Sequence, residues 1–389
     1  MFTFVNTLKS MKIQDWYKDH FELQLKGRYV TLQHIFPLLD MYTDVFEVSV
    51  PGVSEKGNDI PLIKVGKGNK KVLIWSQMHG NESTTTKTLF DFLKFLSQKT
   101  HYQKEINEFL NSFTLYIVPL LNPDGAQLYT RENANEVDLN RDATKNSQKE
   151  TMLLRKIFEE IQPDLCLNMH DQRSIYGLNN QKPAVISFLA PAANKKKSET
   201  DSRKVAMEHI IRMYKSLQNH ISERVGRYDD TYNPNCVGDF FQNKGVATIL
   251  FEAGHFKNDY KREKPREFVF YALLELFNIL NYAKTSSDYK EYYDIPENQK
   301  NFLDIILRNV KVEEGESTTI GIQFVENFNK GAIEMDPVID SIGDLSNFKG
   351  HKEIDLKGHE VLINSQKRIR VGMKIIKIYD KNDDLEINL

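Results

Sequence analysis

The sequence predicts an α/β protein: a mixed central β-sheet with helices on both faces, followed by a small all-β domain. Two observations carry this. Between about residues 60 and 285, short β-branched runs alternate with segments of helical period, the pattern of a sheet flanked by helices. Beyond Ile295 the long helical periods stop, and β-rich runs separated by Gly, Asn and Asp remain. A chain of 389 residues has room for two or three domains. The texture divides it into an N-terminal extension (1–24), a main domain (25–287) and a small β-rich C-terminal domain (296–389).

The elements follow in order. Lys71–Trp75 reads as a buried strand, and Ser83–Gln98 as a helix with Ser/Thr at its start and Leu89, Phe92, Leu93 and Leu96 on one face. That strand delivers residues 76–82 to the mouth of the sheet. Phe113–Leu121 is a second strand, closed by Asn122-Pro-Asp-Gly125, a turn sequence. Met152, Leu153, Ile157 and Ile161 outline a helix. Leu165–Met169 and Val246–Phe251 are the third and fourth strands. In the C-terminal region, Ile305–Val312, Thr318–Phe324 and Ile369–Tyr379 read as strands. His351 and His359, without an acidic or sulfur partner at metal spacing, read as surface histidines.

Composition narrows the function classes. With 40% apolar, 11% aromatic and 27% charged residues, the chain has the make-up of a folded globular protein. The 52 Lys+Arg against 54 Asp+Glu leave a net charge of −2, without the broad basic field of nucleic-acid binders, so no nucleic acid is expected as partner. The longest apolar stretch, Val269–Leu280, is broken by Glu275 and Asn278 and is far short of the ~20 residues of a membrane span, so no membrane partner is expected either. The run Lys195–Lys197 reads as a solvated loop. The opening residues MFTFVNTLKSMK, with an apolar patch only from Phe2 to Val5, do not read as a secretory signal. Cys166 and Cys236 make no disulfide framework. A reducing, cytoplasmic setting is the resulting expectation, and nothing in the pattern assigns an oligomeric state.

The chemistry-bearing residues gather at the strand ends. His79-Gly-Asn-Glu82 puts an imidazole and a carboxylate three residues apart at a strand-to-helix junction, a spacing that lets both converge on one point as metal ligands do. The plainer reading of H-x-x-E is a capped helix start. His170, directly after an apolar strand, is a candidate third ligand if the strands run parallel; alone it would read as a hydrogen-bonding loop residue. Arg131-Glu-Asn-Ala-Asn-Glu-Val-Asp-Leu-Asn140-Arg141 lies between them, and Phe251-Glu252-Ala-Gly254 follows later.

This order of motifs resembles the zinc metallocarboxypeptidase family, of the carboxypeptidase A/B and E/N type. The string R-x-N-A-x-x-x-D-L-N-R is most similar to the E/N-like branch, which also appends a small β-sandwich. The resemblance spans roughly residues 25–285. It implies one Zn2+ per chain held by His79, Glu82 and His170, with a water in the fourth position acidified to a pKa of ~7 as the nucleophile. It implies Glu252 as general base, where a structural salt bridge at a strand end is the plain alternative. It implies Arg131 as stabiliser of the developing oxyanion, and Asn140 and Arg141 as the grip on a terminal carboxylate, where Arg141 would otherwise be a surface ion-pair partner. Asp138 orients the loop. A mobile tyrosine that the family carries falls on Tyr228 or Tyr232, of which Tyr232 is the choice. Asp171, Arg173 and His255, beside the ligand and the base, either hold the ligands or recognise a further anionic group. The absence of a long pro-segment before residue 25 carries the expectation that proteolytic activation is not used.

The implied reaction is hydrolysis of a C-terminal peptide bond, with a peptide as substrate. H-G-N-E, the D-L-N-R string and a carboxy-terminal β domain are also features of the aspartoacylase/succinylglutamate desuccinylase branch, which makes an N-acyl amino acid the alternative substrate. Asn122-Pro-Asp-Gly125 is a peptidase-like element and favours the peptide. An inactive binding protein on the same fold is the third reading, against which stands a complete set of ligands and base.

Overall fold

The apolar runs of the main domain assemble into one sheet. The computed structural model describes residues 11–280, 288–311, 317–366 and 368–387; the Phe2–Val5 patch, the domain limit at 287 and Val312 lie outside the described residues. The strands of the main domain are β1 (Glu47–Val53), β2 (Asp59–Gly66), β3 (Lys70–Ser76), β4 (Phe113–Val118), β5 (Leu165–Asp171), β6 (Tyr176–Gly177), β7 (Ile186–Leu189), β8 (Val225–Arg227) and β9 (Ala247–Ala253). All but β6 share the sheet, in the order β1-β2-β4-β3-β5-β9-β7-β8. β4, β3, β5 and β9 run parallel, while β2 pairs antiparallel with β4, and β7 antiparallel with β9, so the sheet is mixed.

Helices cover both faces: α1 (Ile13–His20), α2 (Leu32–Tyr42), α3 (Thr84–Ser97), α4 (Gln103–Ser112), α5 (Pro123–Leu128), α6 (Lys149–Ile161), α7 (Asp201–Ile221), α8 (Val237–Asn243) and α9 (Glu263–Leu276). Alternation along the strands splits the interior in two. Val72, Ile74, Leu167 and Ile249 face α3, α7 and α9. Leu73, Trp75 and Cys166 face α6 and α8. No helix among the described residues is long and apolar enough to cross a membrane.

Residues 11–24 are built into the larger of these cores. Trp16 of α1 sits edge-on to Phe95 at 5.0 Å and stacked on Phe270 at 5.8 Å, and burying each such ring contributes about 2–3 kcal/mol. A buried ion pair lies beside it. Arg266 grips Asp91 through two N–H donors at 2.6 and 2.7 Å and bonds the carbonyls of Glu22 and Leu25. Asp91 also accepts the Tyr17 hydroxyl and the Glu22 N–H.

Several elements differ from the sequence expectation. The strand from Phe113 stops at Val118, because Pro119 has no N–H for the ladder. Asn122-Pro-Asp-Gly125 is not a free turn but the cap and first turn of α5, the Asn122 side chain accepting from Gly125 N–H. Met152 is 46% exposed, and Leu154 takes the inward place on α6. His170 lies within β5 rather than after it.

The C-terminal region forms β11 (Phe302–Val310), β12 (Thr318–Asn329), β13 (Ala332–Gly343) and β14 (Lys349–Asp355), preceded by β10 (Gln299–Lys300), which pairs with β6. β15 (Val361–Ile363), β16 (Ile378–Asp380) and β17 (Leu385–Ile387) make a separate small sheet. Between them lies a core of Ile305, Leu307, Ile320, Ile322, Ile339 and Ile378. Ile369–Tyr379 is mostly not a strand. Gly372 takes a left-handed φ of +83°; Gly372, Met373 and Ile375 bond the backbone of β13 at Ile339 and Pro337, and the Asn364 side chain bonds the backbone of Lys374, Ile376 and Lys377.

The two histidines expected at the surface are held. His351 is wedged between domains, its ring 4.2 Å from His255 and its Nε2 2.8 Å from the Ser174 carbonyl oxygen. His359 does have acidic partners, Asp380 at 2.9 Å and Asp383 at 3.7 Å, brought close by the β15–β16 pairing. Lys195–Lys197 is exposed as expected.

Replacing Asp91→Ala is expected to leave the buried Arg266 guanidinium with Glu263, at 2.9 Å, as its remaining ion partner, lowering unfolding stability by about 2–3 kcal/mol in urea titration.

Candidate metal centre and active site

Parallel alignment of β3, β5 and β9 puts their carboxyl ends at one edge, where open α/β sheets bind ligands. His170 and Glu252 are paired in register on adjacent strands, so both side chains stand on the same face. After β3 the chain turns at Gln77, with φ +49°, into the loop that carries His79 and Glu82. Backbone contact fixes that loop. A Cβ on Gly80 would lie 2.0 Å from the carbonyl carbon of Gly125, so only glycine fits there. Asn122 donates to the carbonyls of Met78 and Glu132, and the Asn122 N–H to that of Gln77. The H-G-N-E and N-P-D-G motifs are therefore one folded unit.

His79 Nδ1 is 2.9 Å from Glu82 Oε1, His170 Nδ1 is 2.8 Å from Glu82 Oε2, and the two Nδ1 atoms are 3.1 Å apart. All three residues are buried. His79 Nε2 lies 3.0 Å from Asp138 Oδ1, a bond that places its proton on Nε2 and leaves Nδ1 as a lone pair aimed at the carboxylate. Lone pairs and a carboxylate facing one another at this range fit a divalent cation, and an N,O,N donor set suits zinc. His170 Nε2 has no hydrogen-bond partner among the described residues.

Around the trio lies a cavity of about 490 Å3. Arg131 reaches Asp138 with Nε and Nη2 at 3.1 and 3.0 Å and Glu82 with Nη1 at 3.2 Å. Glu252 stands half-buried at the wall, its Oε2 unpartnered among the described residues. Burial, reinforced by the Glu82 and Asp171 carboxylates, pushes its carboxyl well above the usual range. Asp138 caps the short 3-10 turn Leu139–Arg141 by accepting the Asn140 N–H at 2.9 Å. Asn140 accepts the Val237 N–H at 3.0 Å, and Arg141 lies exposed along the rim against Cys236 Sγ at 3.1 Å. The D-L-N-R string thus docks on the start of α8.

The other expected residues divide. Tyr228, not Tyr232, lines the cavity, and its hydroxyl bonds that of Tyr176 at 2.6 Å; Tyr232 belongs to the polar loop that Arg203 and Lys197 tether through Asp230, of which Thr231 and Asn233 line the cavity. Asp171 accepts the N–H and hydroxyl of Thr84 at the head of α3, holding the ligand loop. Arg173 is exposed at the cavity edge. His255 does not reach the cavity; it packs on Tyr260 and His351. Asp239, on α8, is a lining residue that sequence reasoning missed, since a single acid in V-G-D-F carries no motif. Burial raises its carboxyl from 3.8 to about 6, partly offset by the Asn233 N–H.

The zinc carboxypeptidase family matches residues 32–142. A probable carboxypeptidase 2 from Trichophyton verrucosum is 27% identical over 128 residues, covering 30% of this chain and 24% of its own. Carboxypeptidase E of Caenorhabditis elegans is 28% identical over 148 residues, 33% of this chain and 30% of its own. The chain spans about a quarter of the length of the first of these curated relatives. A metallo-carboxypeptidase from Burkholderia cenocepacia superposes with a TM-score of 0.52 at 16% identity, covering 64% of this chain and 69% of that one. Bovine thrombin-activatable fibrinolysis inhibitor gives 0.53 at 14%, covering 66% and 98%. In fold the chain is thus zinc carboxypeptidase-like, and over residues 32–142 its sequence matches that family. The match takes in His79, Glu82, Arg131, Asn140 and Arg141 but stops before His170 and Glu252, which join the site through the strand register.

Two outcomes are expected here. Asp138→Ala frees the His79 ring, and zinc affinity measured by chelator competition falls about 10–100-fold. Asp239 holds its proton in the fold up to about pH 6 but loses it near 3.8 when unfolded. Its stabilising share is therefore complete below pH 4 and lost as pH rises through 6. Asp239→Asn raises stability at pH 7 by about 1–2 kcal/mol in thermal unfolding, a gain that disappears by pH 4.

Proposed function

We propose that this protein is a zinc-dependent carboxypeptidase that hydrolyses the C-terminal peptide bond of its substrate. The observation that carries the reading is the meeting, in one cavity, of the His79–Glu82–His170 trio, a carboxylate in register with one of its members, and the guanidinium of Arg141 at the rim. Zinc held by the trio supplies Lewis acidity, lowering the pKa of water to about 7 and polarising a carbonyl.

The chain's own residues do the rest. Glu252, with an unpartnered oxygen and a pKa raised by burial, takes a proton from water and returns it to the leaving amide nitrogen. Arg131, half-exposed, keeps N–H donors beyond those bonded to Asp138 and Glu82 and turns them to the charge developing on the carbonyl oxygen. Arg141 pairs with the substrate's terminal carboxylate through two N–H donors, and Asn140 supports it, which restricts cleavage to the chain end. Tyr228 closes the wall opposite.

Activity is tested with the zinc-loaded protein on peptides carrying a free or an amidated C-terminus. The free peptide is cleaved by one residue and the amide is not. Glu252→Gln lowers kcat about 100- to 10,000-fold with KM and zinc content little changed. Cleavage of N-acyl amino acids with no peptide cleavage would overturn the reading.

A further inference from the structure

A second cavity, of about 270 Å3, adjoins the first. Glu82, Asp171, Gln172 and Arg173 line both, whereas Arg141 belongs only to the first, and Arg28 and Arg262 only to the second. Its outer wall comes from the other domain: Phe324, Val325 and Glu326 of β12 close it.

The cations of this cavity are under-used. Arg262 is 4% exposed, yet its guanidinium donates one hydrogen bond among the described residues, from Nη1 to the Ala253 carbonyl at 2.7 Å, and its Nε has no partner among them. A buried guanidinium with unmatched donors is costly unless something else meets them. Arg28 reaches Glu326 at 2.5 Å, and its Nε is likewise unpartnered among the described residues. Arg173 stands exposed at the common rim. Against these three guanidinium groups the cavity sets Glu326 and Asp171, once Glu82 is assigned to the metal site. Glu326 is already occupied by Arg28 and the Tyr129 hydroxyl, and Asp171 Oδ2 by Thr84, while Asp171 Oδ1 has no hydrogen-bond partner among the described residues. One positive charge is left over, in a walled space.

We propose that this cavity binds a carboxylate of the substrate on the amino-terminal side of the cleaved bond, so that the enzyme prefers peptides with an acidic residue there. A peptide whose terminal carboxylate meets Arg141, with its last bond at the metal trio, continues past Glu82 toward Arg173 and the second cavity. A carboxylate, planar and singly charged, matches both the charge in excess and the forked donors of arginine. The β domain is then part of the recognition surface, since β12 supplies one wall and Glu326 orients Arg28. The proposal rests on the carboxypeptidase reading only for where the scissile bond lies.

The test uses the full chain and N-acetylated tetrapeptides that differ only in Glu against Gln at either of the two residues before the last. Titration calorimetry on metal-free protein at low salt is expected to show at least tenfold tighter binding of the Glu peptide at one of these positions, and the same preference in kcat/KM of the zinc form. Arg173→Gln, Arg262→Gln and Val325→Glu each reduce the Glu:Gln ratio below about threefold. Arg173 and Val325, which is 44% exposed, are surface positions whose variants fold even if Arg262→Gln does not. Equal binding of Glu and Gln peptides, no binding of either, or a preference that survives the Arg173 and Val325 substitutions overturns the proposal. A Glu preference in binding without cleavage of any peptide supports the subsite and overturns the peptidase reading instead.

Discussion

The parallel run of β3, β5 and β9 is the constraint on which the site depends. Because the three strands point the same way, everything that follows their carboxyl ends opens on one edge. Because β5 and β9 pair without a slip, His170 and Glu252 are neighbours by backbone hydrogen bonding before any side chain chooses a rotamer. A shift of one residue in that ladder would send Glu252 to the opposite face of the sheet, into the apolar layer under α7 and α9. The strands' burial on both faces makes such a slip expensive, so the precision of the cluster is inherited from the packing of the interior.

Much of this was readable from the amino-acid order. The strands around Leu73, Leu167 and Ile249 are short apolar runs with turn signals after them, and the trio was legible because a histidine and a glutamate three apart needed one more donor at the same sheet edge. What was not legible is long-range or depends on one backbone angle. Ile369–Tyr379 has the composition of a strand, but the left-handed Gly372 interrupts it, and the Asn364 side chain takes backbone groups that a longer pairing with β13 would use. His351 and His359 carry no local sign of their partners, which come from Ser174 and Asp380. Tyr228 and Tyr232 are equivalent in sequence, and only the Tyr176 hydroxyl, more than fifty positions away, separates them.

The same holds for the N-terminal segment and the β domain. Trp16 and Tyr17 look like an isolated aromatic pair until Phe95, Phe270 and Asp91 gather round them. The β domain has an apolar centre of its own, and it meets the main domain through polar contacts, Gln323 with Ser174, Tyr260 with Asp304 and Arg28 with Glu326, and through ring contacts, Tyr29 with Phe328 and Tyr260 with Phe324. The polar contacts specify orientation more than they add stability, because each exchanges one set of hydrogen bonds with water for another.

The touching backbones of Gly80 and Gly125 have a mechanical consequence. With no side chain between them and the Asn122 amide stitching both segments together, the loop that bears two of the three metal-facing residues behaves as a strut rather than a flap. The opposite bank, the polar stretch from Asp229 to Asn235, is held in another way, Asp230 by the buried Arg203 and by Lys197, and the Asn235 carbonyl by the Ala143 N–H.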